Sequence, residues 1–172
     1  MTPTRVFLVG PMGSGKTTVG RCLARILKLD FLDLDAEIEA RCGAGIPWIF
    51  DVEGEQGFRD RETAMLREAV ALPGVVVATG GGIVLREENR DLLRKAGVVV
   101  YLAVPPSVLF ERTRNDQNRP LLQVPNRREV IERLVVERDP LYREVATLVY
   151  GGARKSARAS AEEVAQLIAE QA

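Results

Sequence analysis

The chain has 172 residues, 46 % of them apolar, which suits one domain with a single continuous core. Acids and bases balance at 24 each, so no bulk charge recruits nucleic acid or anionic lipid. Histidine is absent, which excludes a Ser-His-Asp triad and any histidine-based metal site.

Short apolar runs alternate with longer amphipathic ones, the pattern of a parallel α/β sheet. VFLVG (Val6–Gly10) reads as a buried strand, and Lys16 to about Lys28 as a helix. FLDLD (Phe31–Asp35) reads as a second strand, and Ala36–Cys42 as a second helix. GAGIPWIF reads as a break before a long charged helix, about Glu55–Ala71. VVVAT (Val75–Thr79) is a third strand that runs into three glycines. A helix over Arg86–Lys95 and a strand over Val98–Val104 follow. Next come a helix over about Ser107–Arg114, a polar stretch, and a helix over Arg127–Glu137. A last strand (Ala146–Tyr150) and a closing helix (Ala161–Ala169) complete five strands in one three-layer α/β/α domain spanning 1–172.

Cys22 and Cys42 are not in a CxxC arrangement and read as reduced thiols of a cytoplasmic protein. No apolar run approaches about 18 residues, so no membrane span is expected, and no targeting peptide fits a chain whose first motif begins at residue 10. Twenty of the 24 bases are Arg. That reads either as compositional bias or as a site for several oxyanions, since guanidinium forks match phosphates and carboxylates.

The first motif, GPMGSGKT over 10–17, fits the phosphate-loop pattern in full and lies between a strand and a helix. Its glycines allow a backbone wrap that aims N–H groups inward, and the helix N-terminus adds positive dipole. Gly13, Ser14, Gly15, Lys16, Thr17 and Thr18 are therefore nucleotide-binding candidates. Lys16 would reach the β- and γ-phosphates, and Thr17 would offer its hydroxyl to Mg²⁺.

Asp33 and Asp35, two apart at the C-terminal end of a strand, are expected to point to the same side, where open α/β sheets bind ligands. One would hold Mg²⁺ through water, and the other would take the proton of an attacking hydroxyl. The alternative is helix capping, for which Asp35 is well placed. Gly80, Gly81 and Gly82 offer bare backbone for close approach of a small ligand, or a flexible turn. Arg59 has Glu55 four residues earlier and by spacing alone is a solvated helix residue. Arg119 lies in a polar stretch, about 112–125, bracketed by Pro120 and Pro125. It reads as a mobile cover bringing Arg onto a transferring phosphate, or as an ordinary surface loop. Arg138, just before Pro140, is near a helix kink or end.

Taken together, GPMGSGKTTVGR, FLDLDAEIE, WIFDVEGEQGFRDRE, ATGGGIVL, RPLL and RDPLY resemble the shikimate kinase family in order and spacing over nearly the whole chain. The resemblance implies transfer of phosphate from ATP to the 3-hydroxyl of shikimate, on the route to chorismate and the aromatic amino acids. It implies the fold of nucleoside monophosphate kinases, with a parallel sheet of order 2-3-1-4-5. Asp35 inherits contact with the shikimate hydroxyls and the place of the base, and Asp33 the support of Mg²⁺. Arg59 and Arg138 inherit the shikimate carboxylate, and Gly80 to Gly82 the lining of its pocket, with a shikimate-binding region over about 33–62. Arg119 becomes the lid arginine and Arg112 the residue that stacks on adenine. A further adenine contact falls near Arg154 and Lys155. Phe50 and Phe58 would pack on the ring edge or serve as ordinary core.

Two other readings remain at this stage. One is a P-loop kinase for gluconate or a nucleoside monophosphate, although no DGFPR-like segment is present. The other is a nucleotide-binding module that does not catalyse. The polar surface pattern and mobile cover favour a monomer.

Overall fold

The computed structural model describes residues 3–171. Three apolar runs form the sheet centre: β1 (Arg5–Val9), β3 (Val75–Ala78) and β4 (Val98–Leu102). Near-continuous Val, Leu and Phe are what a parallel strand covered on both faces requires. β2 (Asp30–Asp33) and β5 (Leu148–Tyr150) flank them, giving a five-stranded parallel sheet of order β2-β3-β1-β4-β5. The expected strand order is the observed one.

Side chains alternate across the sheet, so β1 feeds two cores. Val6 and Leu8 pack with Val19, Leu23, Val164 and Ile168, on α1 (Lys16–Leu27) and α7 (Ala157–Gln171). Phe7 and Val9 face the other layer, built from α2 (Leu34–Cys42), α3 (Ile46–Ala69), α4 (Glu87–Ala96) and α6 (Arg127–Val145). A third, smaller core joins α5 (Pro106–Arg112), the short 3₁₀ turn Pro120–Leu122 and α6 through Leu109, Leu122, Val130 and Ile131. It anchors the cover segment to the body of the protein.

Among the boundaries that differ from expectation, three matter to the site. β2 stops at Asp33, because that residue turns to cap the next helix and its Oδ1 accepts the Ala36 N–H at 3.1 Å. Asp35 thus stands in the first turn of α2, not on a strand, and the cap is Asp33. The segment read as a break is helical from Ile46, with Pro47 in the first turn, where its missing N–H costs nothing. The break falls instead at Gly54, whose φ of 75° and ψ of 174° part α3 into 46–53 and 55–69. Finally, α6 runs through Pro140 to Val145, so Arg138 is a mid-helix residue and not a terminal one.

Candidate active site

The C-terminal ends of β1, β2 and β3 open onto a cavity of about 460 Å³. Its floor is the phosphate loop. Gly15 has a φ of 97°, a left-handed conformation that glycine adopts freely, and it lets the loop turn directly into α1. Lys16 Nζ donates to the backbone oxygens of Gly10 at 2.6 Å and Pro11 at 2.8 Å. Burial and then the nearby Arg119 charge push the Lys16 amine down to about 7. Ser14 Oγ is buried without a partner in the same loop. A cationic amine and a free hydroxyl at a helix N-terminus suit anionic phosphate.

Thr17 Oγ1 donates to Asp33 Oδ2 at 2.7 Å. A hydroxyl oxygen and a carboxylate this close, both lining the phosphate cavity, form a hard-oxygen donor set of the kind Mg²⁺ takes beside phosphates. The residues therefore fit the metal, although among the described residues no group of three or more acidic or thiol ligands gathers.

Asp35 reaches the cavity from α2 and not from the strand, yet it lines the cavity together with Asp33. Its Oδ1 is buried and unpartnered, and its Oδ2 lies 3.6 Å from a terminal nitrogen of Arg119. Burial holds its carboxyl above the usual range, with the Arg119 charge opposing the shift. A carboxylate with a spare, desolvated oxygen is equipped to accept a proton.

A second, much smaller chamber adjoins the first, and Asp35, Gly80, Gly81, Asn118 and Arg119 line both. Its far wall carries Arg59, Arg138, Phe50 and Phe58. Both arginines are buried, 6 % and 5 % exposed. Neither is the solvated or surface base that spacing suggests. Arg59 donates to Glu62 Oε1 at 3.0 Å and to Glu55 Oε1 at 3.3 Å, while its Nε has no partner. The Phe50 and Phe58 rings lie 5.1 Å apart beside it. Tyr142, one turn beyond Arg138, donates its hydroxyl to Gly81 O at 2.6 Å and so ties α6 to the glycine triplet.

Three cavity-lining side chains crowd the triplet. A Cβ on Gly80 would sit 2.8 Å from Glu62 Oε2 and 2.9 Å from Asp35 Oδ1. A Cβ on Gly82 would sit 2.5 Å from Arg59 Cζ. At Gly80 and Gly82 a side chain would displace these groups, so the bare backbone gives room to the Asp35, Glu62 and Arg59 head groups.

At the end of the larger cavity nearest the turn after β5, Arg112 is exposed and donates to Gly13 O at 3.2 Å and to Ala153 O. It bridges the phosphate loop to the turn after β5. Arg154 in that turn is exposed and does not line the cavity; Gly152, Ala153 and Lys155 do. Thr18 is exposed at the rim, with its hydroxyl bonded to Gly15 O at 3.2 Å.

Two site residues escape a sequence reading. Glu62 is fully buried, its Oε2 unpartnered and its carboxyl pushed up to about 7, chiefly by burial. Its signal was a carboxylate on the apolar stripe of α3, four residues from Phe58 and four from Leu66. Asp116, bonded to Arg119, sits in a polar loop with no such signal.

With this geometry in view, comparison with known proteins is decisive. The family described as shikimate kinase matches residues 12–169. The chain belongs to the shikimate kinase family. It is 60 % identical over 161 residues to a shikimate kinase of Halorhodospira halophila (strain DSM 244 / SL1), covering 91 % of each chain. To one of Chromohalobacter salexigens it is 57 % identical over 159 residues, covering 92 % of this chain and 88 % of that one. The solved structure of shikimate kinase from Acinetobacter baumannii in complex with shikimate superposes with a TM-score of 0.96. It is 49 % identical and the match covers 98 % of this chain and 94 % of that one. Membership of the shikimate kinase family makes this chain an ATP-using kinase that acts on shikimate, which removes both the gluconate and nucleotide kinase readings and the non-catalytic one.

Proposed function

We propose that the two chambers are the two halves of the reaction, with ATP phosphates in the larger and shikimate in the smaller, meeting at Asp35. The observation that carries this is the place of Asp35: one half-buried carboxylate lines both the phosphate-loop cavity and the Arg-lined chamber.

Each residue then has one task. Arg59 and Arg138 hold the shikimate carboxylate as charge-assisted forks. Glu55 and Glu62 keep the Arg59 head aimed, and Gly80 to Gly82 let the ring approach. Asp35 orders the hydroxyls and accepts the proton of the 3-hydroxyl as its oxygen attacks the γ-phosphorus and the bond to the ADP oxygen breaks. Lys16, in the loop of Gly13, Ser14 and Gly15, offsets charge on the β- and γ-phosphates, and Arg119 offsets it on the transferring group. Thr17 and Asp33 would hold Mg²⁺. That ion, when bound, neutralises charge on the phosphate oxygens. Arg112 lies along the adenine, with Lys155 in place of Arg154 beside it.

The smaller chamber measures about 50 Å³, against roughly 150 Å³ for a cavity that admits benzene. Asn118 to Leu121 of the cover form part of its wall. Outward movement of that segment would widen the chamber for shikimate, and its return would exclude water from the transfer. We place the enzyme in the cytoplasm as a monomer. Cys22 and Cys42 are unbonded, and among the described residues no helix is long and apolar enough to cross a membrane.

Asp35→Asn tests the assignment, because the amide keeps the shape and removes the proton acceptor. Turnover should fall about 10²–10⁴-fold, the usual range for a positioned base, while the thermal transition is retained. A near-normal kcat would remove Asp35 from the role.

A further inference from the structure

Asp116 makes two contacts that together constrain the lid arginine. Its Oδ1 accepts the backbone N–H of Asn118 at 2.8 Å, and its Oδ2 accepts Nε–H of Arg119 at 3.1 Å. Gln123 closes the same turn again: its side-chain amide donates to the backbone oxygens of Asp116 at 3.0 Å and Arg119 at 3.3 Å. Leu122, buried against Leu109 and Val130, fixes the turn to the body. The tip of the cover is thus a small hydrogen-bonded unit and not a loose loop.

Within it the guanidinium is gripped by one edge. Arginine has five N–H donors in a rigid fork, and an acceptor on Nε leaves the terminal nitrogens for something else. One of those nitrogens lies 3.6 Å from Asp35 Oδ2, inside ion-pair reach and outside a normal hydrogen bond. Two carboxylates therefore compete for one cation. Without the grip on Nε, the favourable move for Arg119 is to close onto Asp35, whose spare oxygen is buried and unpartnered. That closed pair would occupy the proton acceptor and turn the cation away from the phosphate cavity.

We propose that Asp116 is a positioning residue for phosphoryl transfer: it holds Arg119 by Nε, keeps it off Asp35, and presents the terminal N–H groups to the transferring phosphate. The proposal rests on Arg119 being the phosphate-facing arginine of the lid.

A double-mutant cycle in the full-length enzyme tests it, with kcat and both KM values measured for Asp116→Ala, Asp116→Asn, Arg119→Ala and the Asp116→Ala/Arg119→Ala pair. Asp116→Ala should lower kcat about 10–100-fold, the scale of a displacement of about 1 Å in a transfer site, with shikimate KM unchanged. Asp116→Asn retains an acceptor for Asn118 N–H but loses the charged acceptor on Arg119 Nε–H, so a lowered kcat is expected for it too. On the Arg119→Ala background, Asp116→Ala should change kcat by less than about twofold, because its only catalytic route runs through Arg119. An equal loss on both backgrounds would make Asp116 a structural member of the turn and overturn the proposal. So would a normal kcat for Asp116→Ala beside a lowered one for Arg119→Ala, an outcome that leaves the lid arginine in place. A normal kcat for Arg119→Ala would overturn the reading of Arg119 and the proposal with it.

Discussion

Gly82→Ala separates the anchoring of shikimate from its phosphorylation. Gly82 has φ −95° and ψ 9°, a bridge conformation at negative φ that alanine can adopt, so the backbone accepts the change. The new methyl does not fit: it would stand 2.5 Å from Arg59 Cζ and 2.6 Å from a terminal guanidinium nitrogen. Ordinary carbon contacts begin near 3.5 Å, so the Arg59 head must retreat by roughly 1 Å. Its partners Glu55 and Glu62 sit on its own helix, at 3.3 and 3.0 Å. The shikimate carboxylate, fixed by Arg138 as well, does not follow. Loss of one charge-assisted hydrogen bond costs about 1.5–3 kcal/mol, which is about a 10–150-fold rise in shikimate KM. The carboxylate does not react, so kcat and the KM for ATP should hold within about threefold. Initial rates of ADP release over a shikimate series, with a thermal melt to confirm folding, give the result. An unchanged shikimate KM in a folded Gly82→Ala enzyme would refute Arg59 as the carboxylate anchor. A collapse of kcat at constant KM would refute the separation of anchoring from chemistry.

Two predictions concern protons. Lys16 lies near 7 in the free site, pushed there mainly by burial, so at pH 8 most of it is neutral; anionic phosphates favour the ammonium. ATP binding at pH 8 should therefore take up to about one proton, read as a calorimetric heat that tracks the ionisation enthalpy of the buffer. A heat independent of buffer would contradict the placement of Lys16 at the phosphates. Glu62 has a folded value near 7, above its ordinary 4.5, so the folded state binds its proton more tightly than the unfolded state. Stability must then fall as pH rises from about 4.5 through 7, and Glu62→Gln, which cannot ionise, should show a shallower fall across that window. Parallel melting-temperature curves for the two proteins would refute a buried, proton-retaining Glu62.

The sheet was legible because its signal is local. Runs such as VFLV and VVVYL carry no charged residue to confuse the period, and strands alternating with helices point to a parallel sheet, while the strand order came from the family resemblance. The phosphate loop was legible because backbone geometry demands its glycines. The acceptor half was harder. Arg59 and Arg138 looked like surface bases, because spacing reports neighbours on the same helix and not what lies across a chamber. Their burial depends on α3 and α6 converging on the glycine triplet, a long-range fact. Resemblance to a family supplied those two residues where spacing did not. The Asp33/Asp35 pair shows the opposite case, in which two carboxylates expected at the cavity do line it, but by a geometry other than the expected one. Both carboxylates reach the cavity, but Asp33 does so as a helix cap and Asp35 from the first turn of α2. Glu62 and Asp116 were missed because each acts on an arginine, and a sequence does not show which arginine needs holding.

The central claim is that the chamber beside the phosphate loop takes shikimate and that its 3-hydroxyl is the acceptor. Incubation with ATP and Mg²⁺ and, in turn, shikimate, gluconate, AMP and CMP, followed by ADP release and by NMR of the product, tests it directly. The account predicts ADP release with shikimate alone and phosphate on the 3-hydroxyl. Turnover with gluconate and none with shikimate, or ATP binding with no acceptor-dependent turnover, would contradict it.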